Sequence, residues 1–274
     1  MQNSIITRIV LSAAVMLLIL SCASLSSSGV GRIKRYVVES ERLPASFDGY
    51  TFAFVSDIHY PSLFTRSRLG RLVRKLREEK PSMLLLGGDY VTDDSCIEEL
   101  FDSLSTVRPE DGLYAVLGNH ERRNSEKISA SMSKFGIKLL RDDAVPIVED
   151  GSAIALFGVE DSFVYDTLAA RRANTLSDSV YTILLCHTPD YAERTSSTAD
   201  LVLSGHTHGG QVTLFGLYTP VKNSVYGSRF LRGLNHTSQG VTVITTNGVG
   251  TSRKKVRFCV PSEVVIVTLR KLNE

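Results

Sequence analysis

The chain has 274 residues, 43% of them hydrophobic and 22% charged, and a formal net charge of +2. That length supports one large domain with a short appendage, and the composition excludes extensive disorder. The small net charge argues against a polycationic nucleic-acid binder, and the four cysteines (Cys22, Cys96, Cys186, Cys259) form no C-x-x-C pair, which argues against a zinc ribbon, a dithiol redox site or a disulfide framework.

At the N-terminus, Ile9 to Leu20 is almost entirely apolar, preceded by Arg8 and followed by Ser21-Cys22-Ala23-Ser24. The run is short for a bilayer span and suits the core of a signal peptide. Ile19-Leu20-Ser21-Cys22 resembles a bacterial lipoprotein cleavage box, although Leu20 is larger than the usual residue there. Ala23 to Gly31 is rich in Ser and Gly, the composition of a flexible tether reaching on the order of 15 to 20 Å. The expected organisation is therefore a signal peptide, lipobox or anchor over 1–22, a flexible linker over 23–35 and a folded domain over 36–274. It implies a membrane-associated, exported lipoprotein held through Cys22. The alternative is an uncleaved signal anchor from Ile5 to Leu25 with a cytoplasmic domain, consistent with the positive flank of Arg32, Lys34 and Arg35.

From residue 50, short apolar runs alternate with amphipathic stretches. Tyr50 to Ser56, Ser82 to Leu86 and Leu113 to Leu117 read as buried strands, separated by helices over Ser67 to Glu79 and Ile97 to Thr106. The basic run Arg66 to Arg77 carries Leu69, Leu72, Val73 and Leu76 at helical spacing, so its charges read as the wet side of a helix. A helix over Ser125 to Phe135 precedes a strand over Ala153 to Val159 and a helix over Tyr165 to Thr175. Thr182 to Cys186 and Asp200 to Ser204 are further strands, and Val241 to Thr246 and Val264 to Leu269 close the chain. Strands separated by helices predict an α/β fold with largely parallel strands, arranged as a two-sheet β-sandwich flanked by helices in one domain.

The apolar runs end in polar residues of one chemical kind. They lead into Ser56-Asp57-Ile58-His59, Gly87-Gly88-Asp89-Tyr90, Gly118-Asn119-His120-Glu121, Cys186-His187 and Gly205-His206-Thr207-His208-Gly209-Gly210. The steps from His59 to Asp89 and from Asp89 to Asn119 are thirty residues each, about one strand–helix–strand unit. Carboxyl ends of parallel strands share one edge, so these loops converge. Asp, His and Asn offer oxygen and nitrogen donors without thiolate, a set suited to Mn, Fe, Zn or Co. Asp57 and His59, like His206 and His208, are two apart, which on an extended chain points both side chains the same way.

Taken together, D-x-H, G-D, G-N-H-E, H and G-H-x-H in this order resemble the calcineurin-like metallophosphoesterase superfamily over residues 50 to 270, with every ligand position kept. The resemblance implies two divalent metal ions. Asp57, His59 and His208 would hold the first, Asp89 would bridge, and Asn119, His187 and His206 would hold the second. His120 would contact the leaving group or the phosphoryl oxygens, with Glu121 orienting it from behind. The implied reaction is phosphate-ester hydrolysis by a hydroxide shared between the ions. The tail Gly248-Val249-Gly250-Thr251-Ser252, with Arg257 and Pro261-Ser262-Glu263, resembles the closing segment of membrane-linked bacterial members, which implies a lipid-linked or cell-envelope phosphodiester or pyrophosphate as substrate. A nuclease or cyclic-nucleotide phosphodiesterase is the enzymatic alternative, and a non-catalytic metal-binding scaffold the alternative of another class. Five of the six histidines fall within the motifs. The sixth, His236, reads as an exposed turn residue. Asp93 or Asp94 reads as a helix N-cap before Ile97. Tyr60, Tyr90, Arg122 and Arg123 are open between lining the site and ordinary packing or solvation.

Overall fold

The computed structural model describes residues 2–24, 30–62, 64–163, 167–214 and 218–272. In chain order the elements are α1 (Gln2–Ser24), β1 (Arg32–Ser40), β2 (Thr51–Val55), α2 (Arg66–Glu79), β3 (Met83–Leu86), α3 (Ile97–Ser105) and β4 (Leu113–Ala115). They continue with α4 (Ser125–Lys134), β5 (Ile137–Leu139), β6 (Asp143–Glu149), β7 (Ser152–Gly158), α5 (Thr167–Ser179) and β8 (Thr182–Leu185). The last are α6 (Asp190–Arg194), β9 (Leu201–Ser204), β10 (Gly233–His236), β11 (Thr242–Thr245) and β12 (Glu263–Lys271).

The strands form two mixed six-stranded sheets, ordered β1-β12-β2-β3-β4-β5 and β10-β11-β9-β8-β7-β6. Strands β2, β3, β4 and β5 run parallel in the first, and β11, β9, β8 and β7 in the second. The apolar runs are continuous because each strand is buried on both faces. Phe52, Phe54, Met83 and Leu85 point inward against Ile183, Leu185, Leu201 and Leu203 of the facing sheet. The alternate residues Ala53, Val55, Leu84 and Leu86 pack outward under Leu69, Leu72 and Leu76 of α2 and Leu100 and Leu104 of α3. Behind the second sheet, Leu184 and Val202 meet Ala173 of α5 and Tyr191 of α6. The expected α/β sandwich, and the helices assigned to amphipathic stretches, are found.

Several elements depart from the sequence reading. Residues 32–35, expected in the linker, are the start of β1, paired in parallel with β12. An edge strand needs main-chain partners on one side only, so its composition stays charged. β6 is the opposite edge of the other sheet and carries Pro146 within the strand, which an edge tolerates. His236 is exposed as expected, but on β10, paired with Thr242 of β11, instead of in a turn. Residues 2–24 are helical, and Ile5, Ile6, Ile9, Val10, Leu11, Val15 and Met16 are all exposed. Among the described residues no helix is long and apolar enough to cross a membrane. The Cys22 side chain and residues 25–29 of the expected tether lie outside the described part.

Candidate metal centre

All the polar motifs leave parallel strands at the same end. Asp57 and His59 follow β2, Asp89 follows β3 and Asn119 and His120 follow β4, while His187 follows β8 and His206 and His208 follow β9. Main-chain bonds stitch the loops together: the Asp57 N–H donates to Gly88 O at 2.9 Å, His59 N–H to Asp89 O at 3.1 Å, and Gly205 N–H to His187 O at 2.9 Å. Gly88 has a positive φ of 95°, and a Cβ there would fall 2.6 Å from Gly118 N and 2.8 Å from His187 Nδ1. Only glycine lets the second and third loops come this close.

Asp57 (φ 57°), His59 (φ 52°), Asp89 (φ 57°), His206 (φ 67°) and His208 (φ 53°) all take the left-handed backbone conformation. The extended-chain account of the two x-spaced pairs is therefore corrected. A left-handed kink at each residue turns its side chain to the cluster, while Ile58 between them is fully buried in the apolar core. Asp and His tolerate this region better than branched residues.

The result is a cage around Asp89. Its Oδ2 lies 3.6 Å from His59 Nε2, 3.5 Å from His187 Nε2 and 3.9 Å from His120 Nε2. Its Oδ1 accepts the His120 backbone N–H at 3.1 Å. Asp57 accepts the His206 backbone N–H at 3.1 Å and lies 3.3 Å from His208 Nε2. The Nε2 atoms of His59 and His208 face each other at 3.2 Å across stacked rings. One ligand atom each from Asp57, His59, Asp89 and His208 falls within 4.8 Å of the others, and the same holds for Asp89, His187 and His206. Asp89 belongs to both groups, the place of a bridging ligand.

Two buried atoms test whether cations fit. Asn119 Oδ1 and His187 Nε2 are buried without a hydrogen-bond partner, an arrangement that costs free energy unless something else ligates them. Asn119 itself lies between Gly118 and His120, both of which touch Asp89. His187 Nδ1 sits 2.7 Å from Gly87 O. A carbonyl only accepts, so Nδ1 carries a proton and Nε2 is the nitrogen that turns to the cage, 3.5 Å from Asp89 Oδ2. The residues fit a pair of divalent cations.

Burial sets the electrostatics. It lowers His59 to about 4 and His206 to about 3, and takes His208 well below the ordinary imidazole range. All three are thus neutral at pH 7, the form that binds cations. Burial also raises Asp57 to about 6, opposed by the charge of His187. For Asp89 burial is outweighed by His187, which holds the carboxylate below its usual range. His187 is raised in turn to about 10, burial being overcome by Asp89, so Nε2 carries a proton that a bound cation would displace.

His120 stands apart from the ligand groups. Its side chain is 43% exposed at the mouth of the cage, edge-on to the His59 ring at 4.8 Å. Glu121 does not orient it. The Glu121 carboxylate is wholly buried and accepts the backbone N–H groups of Gly118 at 2.8 Å, Asp89 at 2.9 Å and Tyr90 at 2.9 Å. It pins the second and third loops to each other, and no hydrogen bond joins it to His120 among the described residues. Burial raises it to about 7 despite those donors.

The closing segment supplies what the motifs left out. After β11, Val249 N–H donates to Ser56 O at 3.1 Å and Gly250 N–H to Asp57 O at 2.9 Å. Two arginines hold this segment: Arg68 donates to Val249 O at 2.9 Å, and the buried Arg257 to Gly250 O at 2.9 Å and to His208 O at 3.1 Å. Arg68 was expected on the wet side of α2, yet it is 9% exposed and lies over the Phe64 ring. Arg257 stood in the sequence only as a member of the closing segment with Gly248 to Ser252, with no contact assigned to it. Phe163 carried none; its ring meets His206 edge-on at 4.9 Å, with Arg122 over it and paired to Asp161. Tyr60 and Tyr90 prove to be buried packing residues, Tyr90 donating to Val116 O at 2.6 Å. Asp93 caps the turn before α3, accepting the Ser95 N–H at 2.9 Å.

The calcineurin-like phosphoesterase family matches residues 50–210. A metallophosphoesterase of Aquifex aeolicus is 31% identical over 250 residues, covering 87% of this chain and 92% of that protein. The phosphodiesterase YaeI of Escherichia coli is 30% identical over 216 residues, covering 73% of this chain and 75% of its own. Among solved structures, TT1561 of Thermus thermophilus shares the fold with a TM-score of 0.51 at 11% identity, covering 73% of this chain and 90% of that one.

Proposed function

Since the chain belongs to the calcineurin-like phosphoesterase family, it is a hydrolase of phosphate esters, and we propose that its catalytic centre is the cage around Asp89. Asp57, His59 and His208 would hold one divalent cation of the Mn, Fe, Zn or Co class, Asn119, His187 and His206 a second, and Asp89 both. The observation that carries this reading is the carboxylate common to two ligand groups, beside the partnerless Asn119 Oδ1. When bound, such ions supply Lewis acidity toward the phosphoryl oxygens and lower the pKa of water. The chain's own part is to position and to move protons. Water adds across one P–O bond, leaving an alcohol and a phosphate with one ester fewer. His120, exposed at the mouth, would give the departing alkoxide its proton. Glu121 and the 247–250 segment keep the loops in register and take no part in proton transfer.

The test is hydrolysis of bis-4-nitrophenyl phosphate by EDTA-stripped protein with and without Mn²⁺, with metal content measured alongside. Turnover should return only with the ion. Asp89→Asn should lose both metal equivalents and turnover together; a metal-loaded, active variant would overturn the assignment.

The exposed apolar face of α1 supports a role for residues 1–22 in membrane attachment, either as a lipoprotein signal ending at Cys22 or as an uncleaved anchor, with residues 36–274 as the catalytic unit. That setting favours a lipid-linked or cell-envelope ester as substrate. Mass spectrometry of the mature N-terminus decides between acylation at Cys22 and retention of the segment.

A further inference from the structure

Two cavities open beside the cage, sharing the segment 220–225 as a wall. One, of about 360 Å³, runs from His208 along Gln211 and Val212 to Val221 and Val256. The other, of about 530 Å³, is reached from His206 and lined by Phe163, Thr188, Lys222 and Ser224. Pro220 and Asn223 belong to both walls. Both volumes lie within the roughly 300 to 1,000 Å³ of small-molecule sites.

The two differ in chemistry. The first is walled by aliphatic side chains that stay open to water: Val212 is 38% exposed, Val221 50% and Val256 55%. Contiguous exposed apolar surface at an enzyme's mouth is costly unless something covers it. Arg253 and Lys254 stand in the same wall, both exposed, so the cleft joins apolar burial to cationic attraction for a phosphate. The second offers the Lys222 ammonium and the aromatic face of Phe163, with Thr188 beside them. Its Asp190 is already engaged, accepting the Ser224 hydroxyl at 2.6 Å and the Val225 N–H at 2.8 Å, which fixes the wall.

We infer that the site takes a phosphodiester with unlike arms, an aliphatic chain in the Val212–Val221–Val256 cleft and a polar group in the Phe163–Lys222–Ser224 cavity. His208 and His206 belong to different ligand groups of the cage, so a phosphate held at both has one cavity on each side. A monoester would leave one of them empty. This assignment rests on the phosphoesterase reading and gives it a substrate class.

The experiment uses the full chain with Mn²⁺ and 4-nitrophenyl phosphodiesters whose second ester is methyl, butyl, hexyl or octyl, below their micellar concentrations. A triethylene glycol ester of matching length completes the series, and nitrophenolate release gives kcat/KM. An aliphatic subsite raises kcat/KM by up to about fourfold per methylene until the cleft is filled, and the glycol ester gains no such rise. The octyl-to-methyl ratio collapses toward one in Val221→Asp and in Val256→Asp. A flat series, or an equal gain from the glycol arm, overturns the inference while leaving Mn²⁺-dependent turnover of the methyl ester in place. Absence of metal-dependent release from every ester overturns the phosphoesterase reading and this inference with it.

Discussion

Replacing Gly250 by alanine tests how the closing segment builds the first ligand group. A Cβ at this position would lie 2.1 Å from Ile58 O and 2.6 Å from Asp57 O. Both are backbone atoms and cannot swing aside. Relief requires the two segments to part by roughly 1 Å to restore ordinary contact. That would stretch the Gly250 N–H bond to Asp57 O, now 2.9 Å, and carry Asp57 and His59 away from His208. Overpacking of this kind costs about 1 to 3 kcal/mol of stability, a fall in Tm of roughly 2 to 4 °C per kcal/mol for a chain of this size. Misplacement of reacting groups by about 1 Å costs on the order of 10²-fold in rate. Folded G250A should therefore bind less than two equivalents of Mn²⁺ and show kcat/KM on bis-4-nitrophenyl phosphate lowered about a hundredfold. Gly70→Ala is the control, because Gly70 lies in α2 with nothing within 4 Å of its would-be Cβ; it should gain about 0.5 to 1 kcal/mol. Full metal loading and unchanged kcat/KM in G250A would refute the bracing role.

His120→Ala should keep both metal equivalents while kcat falls roughly 10²- to 10⁴-fold; loss of metal instead would make His120 a ligand. Glu121→Gln puts an amide where one carboxylate oxygen now accepts a backbone N–H, leaving donors facing each other in a buried place. It should cost about 1 to 3 kcal/mol in urea unfolding, and a variant as stable as the parent would show that Glu121 does not pin the loops. Tyr50, buried and donating to Asp111 at 2.7 Å, has its phenol raised above the ordinary 10.0, first by burial and then by that bond. With the folded pKa the higher one, its contribution is complete below pH 10 and declines as the pH rises beyond it. Thermal unfolding of wild type should thus lose ground to Tyr50→Phe above pH 10, and parallel curves would contradict this.

The donors of the centre were legible because they share a chemistry and a position: each ends an apolar run of strand character. Two sheets, the parallel β2–β3–β4 set and the helices between them follow from the same pattern. What the sequence hid was whatever depends on main-chain pairing or on contacts distant along the chain. The start of β1, residues 32–35, reads as linker because its partner is β12, over two hundred residues away. Glu121 looked like a companion of its neighbour His120, but its oxygens answer to amides at Asp89 and Tyr90. Arg68 looked like surface charge, and Arg257 like one more residue of the closing segment, until carbonyls of the 247–250 segment were brought to them.

The left-handed residues of the cage show why pattern alone could not give the geometry. An alternating D-x-H suggests extended chain, yet in this fold the strand must stop at the sheet edge and turn while still aiming two donors at one point. A left-handed residue does that at a cost on the order of 1 to 2 kcal/mol each, and five of the donors adopt it. Such strain persists only where the surroundings over-determine it. Here the determinants are on hand: Glu121 fixes Asp89 through its amide, Gly88 O and Gly250 N–H hold Asp57 from two sides, and Arg257 grips His208 by its carbonyl. The cage is thus shaped by backbone ties as well as by its side chains, which makes those ties, and not the donors alone, the part of the protein whose loss should cost metal affinity.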